Sequence, residues 1–299
     1  MSRALSISSR RPYGLALACR VLDVARSTVY ARRAAGARTQ PRGRPGPRVG
    51  VVEEDVLLDA IHAVLAASPF HGEGYRKVWA RLRLRGVRVD KDRVRRAMGR
   101  AGLLVPQRGG VPHGPAAHDG TITTERPDVM WGTDATQTAT IEDGAVTVFA
   151  AIDHCTAECV GIHAAVRGTR FEALEPLRQG VREHFGRYEA GAAAGLSLRH
   201  DHGSQFMSRH YQGEVAFLGI TSSPAFVREP EGNGCIERFF RTLKEQLLWV
   251  RTFRTCEELR VALLEFREKY NREWLVERHG HLTPNEVRAK LGTRREVAA

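Results

Sequence analysis

From residue 128 onward the hydropathy pattern changes period, and that change limits the possible folds more than any other feature of the chain. The runs "VMWGTDATQTAT" (129–140), "AVTVFAAID" (145–153) and "CVGIHAAV" (159–166) follow one another across short breaks and are rich in β-branched residues. That pattern predicts three strands in a meander. Helical and strand-like stretches then alternate. "TRFEALEPLRQGVREHFG" reads as a helix despite Pro176 and Gly180, "LSLRHD" as a strand, "SRHYQGEVAFLG" as a helix and "ITSSPA" as a short strand. A Gly- and Pro-bearing loop over 223–234 leads into a long helix over 235–250, and "TCEELRVALLEFREKYNREW" follows as an amphipathic helix. Three meandering strands followed by helix–strand alternation predict an α/β sheet with helices on both faces.

The chain ahead of this region is helical and basic. Residues 15–33 read as two short helices broken at "DVARS", with Ser27 as N-cap of the second, so 1–35 is a helix-turn-helix-like DNA-binding segment. Residues 36–50, "GARTQPRGRPGPRVG", are a Gly/Pro/Arg linker. Residues 51–104 form a second helix-turn-helix-like domain, with Val52, Val56, Leu57, Ile61, Val64 and Leu65 on one stripe of its first helix. Its last helix has Asp90 as N-cap and Gly102 as stop. Val94, Ala97 and Met98 of that helix face inward, and Arg93, Arg95, Arg96 and Arg100 cover the rest, making Arg93 and Arg96 candidate DNA contacts. Residues 105–127 are a second linker, leaving 128–299 as the α/β domain.

Charge follows the same division. Residues 1–127 hold 24 Lys/Arg and 10 Asp/Glu, whereas 128–299 hold 22 and 24, so all of the net +12 arises in the N-terminal part. A basic arm joined to a near-neutral globular part fits phosphate-backbone binding by the arm. No apolar run approaches the ~20 residues of a membrane span, and the N-terminus lacks an apolar signal core, so a cytoplasmic protein is expected. Five cysteines in a long chain indicate no disulfide framework. His154, Cys155, Cys159 and His163 have the wrong spacing for a zinc finger and read as the turn and second strand of a hairpin.

The candidate chemistry rests on three carboxylates. Asp134 lies in the first strand, Asp201 ends the fourth, and Glu237 opens the long helix, with 35 residues between it and Asp201. Carboxylates converging from two strands and a helix can hold two divalent cations about 4 Å apart and so support in-line phosphoryl transfer. On the helix, Glu237, Arg241 and Lys244 share one face at i, i+4 and i+7, beside an apolar stripe of Ile236, Phe240, Leu243 and Leu247. A carboxylate with cations one and two turns on suits metal and phosphate bound side by side. The plainer reading is a surface Glu–Arg pair worth a few tenths of a kcal/mol. Asp153 is a competing carboxylate read as structural.

The segments "WGTDAT", "FAAIDH", "RHDHGSQF", "EGNGCIERFFRTLKEQL" and "YNREWLVERHGHLTPNEVRAKL", with the upstream "HGEGYRKVWARLRLRGVRVDKDRVRRAMGRAGL", resemble the OrfB part of the IS-three family insertion-sequence transposases. These belong to the DDE transposases and retroviral-type integrases. The resemblance covers nearly the whole chain. It implies an RNase H-like catalytic core, a mixed five-stranded sheet flanked by helices, behind basic helix-turn-helix modules. It implies that Asp134, Asp201 and Glu237 are the catalytic metal-binding triad and that Lys244 contacts DNA. Asn233, four residues before the Glu, also matches, and it and Arg241 are further candidate DNA contacts. Where the family more often has Ser before its second Asp and Arg after it, this chain has His200 and His202, and His202 is a candidate phosphate contact.

The implied activity is metal-dependent DNA strand cleavage and strand transfer. The implied route is cleavage at an element's 3′ end, joining to the other end, then integration of a circular intermediate. Two Mg2+ ions are the expected cofactor, with Mn2+ able to substitute. The expected partners are element-end and target DNA, further copies of the chain on DNA because two ends are joined, and an upstream OrfA-type protein. A catalytically inactive DNA-binding derivative is the alternative, and an RNase H-like nuclease for RNA–DNA hybrids a third reading.

Overall fold

The computed structural model describes residues 10–36, 52–105, 122–224 and 233–297. Most of both expected linkers and of the loop before Asn233 lies outside the described residues. The chain divides into two compact units, Met1–Val51 and Val52–Ala299. In the first, helices α1 (Gly14–Val21) and α2 (Arg26–Gly36) are separated at the predicted break, where Asp23 takes a positive φ of 49°. Ser27 falls inside α2 rather than at its cap.

The second unit begins with three helices, α3 (Glu54–Ala67), α4 (Tyr75–Leu84) and α5 (Lys91–Arg100). Leu57, Ile61 and Val64 of α3 pack with Val78, Leu82, Val94, Ala97 and Met98. Val56, expected on that stripe, is 59% exposed. Val52 and Leu65, also expected on the stripe, are half-buried against the same cluster. Asp90 caps α5 by accepting from the N–H groups of Asp92 and Arg93, and Gly102 follows the helix at φ +68°.

The sheet that follows has strands β1 (Met130–Thr140), β2 (Gly144–Asp153), β3 (Cys159–Ala165), β4 (Ser197–His200) and β5 (Thr221–Pro224), in the order β3-β2-β1-β4-β5. The first three are antiparallel, and β4 and β5 run parallel to β1 and to each other. This is the mixed five-stranded sheet that the sequence resemblance implies. Helices α6 (Glu175–Phe185), α7 (Ser204–Met207) and α8 (Arg209–Phe217) connect the later strands. Then come α9 (Gly234–Leu243), which passes into a π-helical turn at Lys244–Leu248, α10 (Cys256–Glu273) and α11 (Pro284–Val297). No helix among the described residues is long and apolar enough to cross a membrane.

Alternation along β2 supplies both faces of the core. Val146, Val148, Ala150 and Ile152 pack beneath α9 and α10, while Phe149 and Ala151 pack with Trp131, Leu177 and Val181 on the opposite face. Gly180 is tolerated in α6 because a Cβ there would lie 2.8 Å from the Trp131 ring, so the helix can approach the sheet only without one. Asp153 is fully buried and closes the β2–β3 turn by accepting from the Asp128 and Thr156 N–H groups and the Thr156 hydroxyl. All five cysteines are free and buried.

Within this unit the three-helix module is bound to the sheet's helices. Phe70, between α3 and α4, is buried in the cluster formed by α9 and α10, with its ring edge-on to Trp274 at 4.9 Å. The His71 N–H donates to Gln246 Oε1 at 2.8 Å, and Gln246 Nε2 donates back to the His71 carbonyl at 2.9 Å. Arg81 forms a two-pronged pair with buried Glu73 and reaches the Glu273 carbonyl at 3.3 Å.

Candidate active site

The parallel pairing of β1 and β4 places two carboxylates level. Gly132 is opposite Arg199, and two residues further along each chain stand Asp134 and Asp201. Both therefore sit at the same end of the sheet. Asp201 is exposed, and one of its oxygens accepts from the Gly203 N–H at 2.8 Å. Asp134 is half-buried and accepts from its neighbour's Ala135 N–H at 2.7 Å. Glu237 projects, exposed, from the first turn of α9.

Helix α9 is tied to β1 beside Asp134. Asn233, at the start of the helix, is buried and donates from Nδ2 to the Thr133 carbonyl at 3.3 Å. Expected as a DNA contact, it is instead an interior tie between the strand carrying Asp134 and the helix carrying Glu237. Gly132 makes room for it: a Cβ there would lie 2.9 Å from Asn233 Oδ1 and 2.6 Å from His154 Nε2.

Burial, with smaller contributions from Asp201 and Glu237, raises the Asp134 carboxyl to about 6 against the opposing Ala135 hydrogen bond and Lys244. None of the three carboxylates has an ion pair within 4 Å among the described residues. Their oxygens are not gathered as tightly as a closed ligand set. Among the described residues, the group of three whose ligating atoms all lie within 4.8 Å is Glu158, Glu183 and His184, and there Arg288 and Arg267 already pair with the two carboxylates.

The basic candidates divide. Lys244 begins the π turn and acts on Asp134, so it belongs to this site. Arg241 is exposed on the same face and pairs with Glu245 at 3.1 Å. His202 is exposed beside Asp201, whereas His200 is buried and turned inward to Ser222. Arg96 is exposed on α5, but Arg93 of the same helix donates to the Val52 carbonyl and pairs with Glu54 at 3.6 Å, holding its own module together. Sequence reasoning missed Phe70, His71 and Gln246, whose contacts span 175 residues and more; the one local signal was a large apolar residue stranded in the turn "SPFHGEG".

Two families match parts of the chain in the same order as the fold. An HTH-like domain matches residues 53–110 and an integrase core domain matches residues 218–284, a span that includes Glu237 but neither aspartate. The transposase InsD of insertion element IS2A/D/F/H/I/K from Escherichia coli is 28% identical over 270 residues, covering 88% of this chain and 87% of the relative. InsD of insertion element IS2-9 from E. coli strain K12 is likewise 28% identical, over 85% of its own length. Among solved structures, the BIV integrase catalytic core domain matches with 18% identity and a TM-score of 0.42, covering 56% of this chain and 99% of that one. A chain of the simian T-cell lymphotropic virus intasome in complex with PP2A regulatory subunit B56 gamma matches with 18% identity and a TM-score of 0.46, covering 70% of each chain. The similarity runs through both the helical module and the sheet: over 88% of its length this chain is similar to insertion-element transposases, with an HTH-like domain and an integrase core domain matched in the same order.

Proposed function

We propose that Asp134, Asp201 and Glu237 are the groups with which this transposase cleaves and joins DNA strands. The observation that carries this assignment is geometric: the β1–β4 pairing sets Asp134 and Asp201, 67 residues apart along the chain, level with each other, and Asn233 ties the start of the helix bearing Glu237 to β1 beside Asp134. Three carboxylates at one end of the sheet, lacking paired cations among the described residues, form a site short of positive charge. The donor set is entirely oxygen, which fits Mg2+, and Mn2+ as its substitute. Ions held there would supply positive charge to an in-line phosphoryl transfer. Asp134, Asp201 and Glu237 would hold them, and Asn233 keeps the Glu237 helix against β1. Lys244, with Arg241 and His202 beside it, meets the phosphates that flank the reacting one. In-line transfer of this kind needs no protein nucleophile, so no covalent protein–DNA intermediate is expected.

The exposed arginines of the helical module bind element-end DNA, further copies join because two ends react, and an upstream OrfA-type protein is a candidate partner in a cytoplasmic complex. The test is incubation with element-end DNA and magnesium. Cleavage and joining are expected, and Asp134→Asn, Asp201→Asn or Glu237→Gln each abolish them while leaving DNA binding in place. Substantial turnover by any one variant removes that residue from the site, and tight binding with unaltered strands favours the inactive derivative.

A further inference from the structure

His154 and Asn233 each bring one unsatisfied acceptor to the same spot above Gly132 of β1, two residues before Asp134. His154, the first residue after β2, is fully buried. Its Nδ1 lies 2.9 Å from the Ile122 carbonyl, which can only accept, so that nitrogen carries the proton. Burial, helped by the cations of Arg278 and Arg199, pushes the imidazolium down to about 4 against that hydrogen bond, so the ring is neutral near pH 7. Nε2 is therefore a bare lone pair, and among the described residues it has no hydrogen-bond partner. Asn233 is buried as well, and its Nδ2 donates to the Thr133 carbonyl at 3.3 Å. That fixes which amide atom is Oδ1, and this second acceptor also lacks a partner among the described residues. A Cβ on Gly132 would lie 2.6 Å from the first of these atoms and 2.9 Å from the second.

No rearrangement of the pair itself removes the conflict. Turning the Asn233 amide over would set Oδ1 against the Thr133 carbonyl, and moving the ring proton to Nε2 would set the Nδ1 lone pair against the Ile122 carbonyl. Each exchange trades one acceptor–acceptor contact for another. A second ring proton would serve, but burial holds the ring neutral. Two bare acceptors are costly to bury, and a small group with two donors satisfies both. We propose that a water molecule bridges His154 Nε2 and Asn233 Oδ1, and that His154 is thereby a positioning residue for Glu237. The bridge completes a line of hydrogen bonds from the Ile122 carbonyl through His154 and Asn233 to the Thr133 carbonyl. Asn233 caps α9, and Glu237 stands in that helix's first turn. The start of the helix is then held at two points, by β1 through Thr133 and by the turn after β2 through His154. The role in the reaction rests on the transposase reading above, whereas the bridge itself does not.

Nitrogen-15 NMR of the full chain with labelled histidine tests the bridge, the signal being identified by its loss in a His154 variant. At pH 7 a neutral ring is expected, protonated on Nδ1 and accepting a hydrogen bond at Nε2. A charged ring, a proton on Nε2, or an Nε2 that accepts from nothing overturns the bridge. Single-turnover cleavage of an element-end duplex tests the positioning role. His154→Phe keeps a ring and loses both nitrogens, and cleavage is expected to slow at least about tenfold with duplex affinity unchanged. The half-maximal rate should need at least about threefold more magnesium, below the roughly 10–100-fold cost of losing a direct partner of a metal ligand. His154→Gln, which can offer an acceptor to the same water, should retain more of the rate than His154→Phe. Thr156→Val is the structural control, because it removes a buried hydroxyl that donates to Asp153 in the same turn. It should lower the urea midpoint and leave the magnesium requirement at the wild-type value. An unshifted requirement in His154→Phe, an equal shift in Thr156→Val, or a slower rate in His154→Gln than in His154→Phe overturns the positioning role. A wild-type chain that does not cleave defeats the transposase reading and the positioning role with it, while the NMR result still decides the bridge.

Discussion

At Asp134 chemistry and stability oppose each other. Its carboxyl is raised from an ordinary value of 3.8 to about 6, chiefly by burial, and further by Asp201 and Glu237. The folded state therefore binds this proton more tightly than the unfolded chain does. The stabilisation from protonation is fully present below about 3.8 and is lost as pH rises through about 6. At neutral pH without metal the wild-type chain carries an ionised, half-buried carboxylate that an asparagine would not. Asp134→Asn is expected to be inactive yet more stable at pH 7.5 in metal-free buffer, by about 1–3 kcal/mol. Thermal unfolding followed by circular dichroism checks this. The advantage should shrink steadily on acidification and vanish near pH 4, and magnesium should raise the melting temperature of the wild type but not of the variant. An equal advantage at both pH values would assign it to a cause other than this ionisation.

The elements show what was legible and what was not. Strand alternation and helical stripes are written within a few residues, so β1 to β5, α6 and α10 could be read directly, as could the motifs around the carboxylates. The helix expected over 235–250 turns instead into a π-helical turn at Lys244–Leu248, because an i→i+5 turn has no composition of its own. What lies at that turn explains its value: Lys244 starts it and Gln246, two residues on, is gripped by His71. The helical module is thus fastened to the helix bearing Glu237 and Lys244, a link between residues too distant in sequence to leave a local trace. Gln246→Ala removes both hydrogen bonds at an accessible position and is expected to cost no more than about 1 kcal/mol of stability. It should nevertheless slow strand cleavage roughly tenfold, with DNA affinity unchanged, because the reacting groups lose their register. Single-turnover cleavage beside a urea titration separates the two effects. An unaltered cleavage rate would show that the contact only holds the module in place.

Across the whole molecule, charge and packing divide the chain in different places. The basic excess ends near residue 127, whereas the compact second unit starts at Val52 and takes the basic helices with it. Phe70 makes that union costly to break. Its ring belongs to the core of α9 and α10, so a fragment ending before the sheet would expose it, and DNA binding has to be measured on the intact chain. Packing also sorts the arginines of α5 in a way that their spacing could not. Arg93 is drawn into the module by Val52 and Glu54, while Arg96 stands exposed. If α5 lies along phosphates, Arg96→Ala should weaken binding at every sequence tested and lower the slope of log affinity against log salt by about one. Arg93→Ala should leave that slope in place and instead reduce the denaturation midpoint. Titrations of a fluorescent duplex at several salt concentrations measure both slopes, and a reversal of the two outcomes would mean that the inward arginine leaves its partners when DNA arrives. Such a reversal would make the module's internal pairing a form of the chain without DNA, with Glu54 and the phosphate backbone competing for one guanidinium.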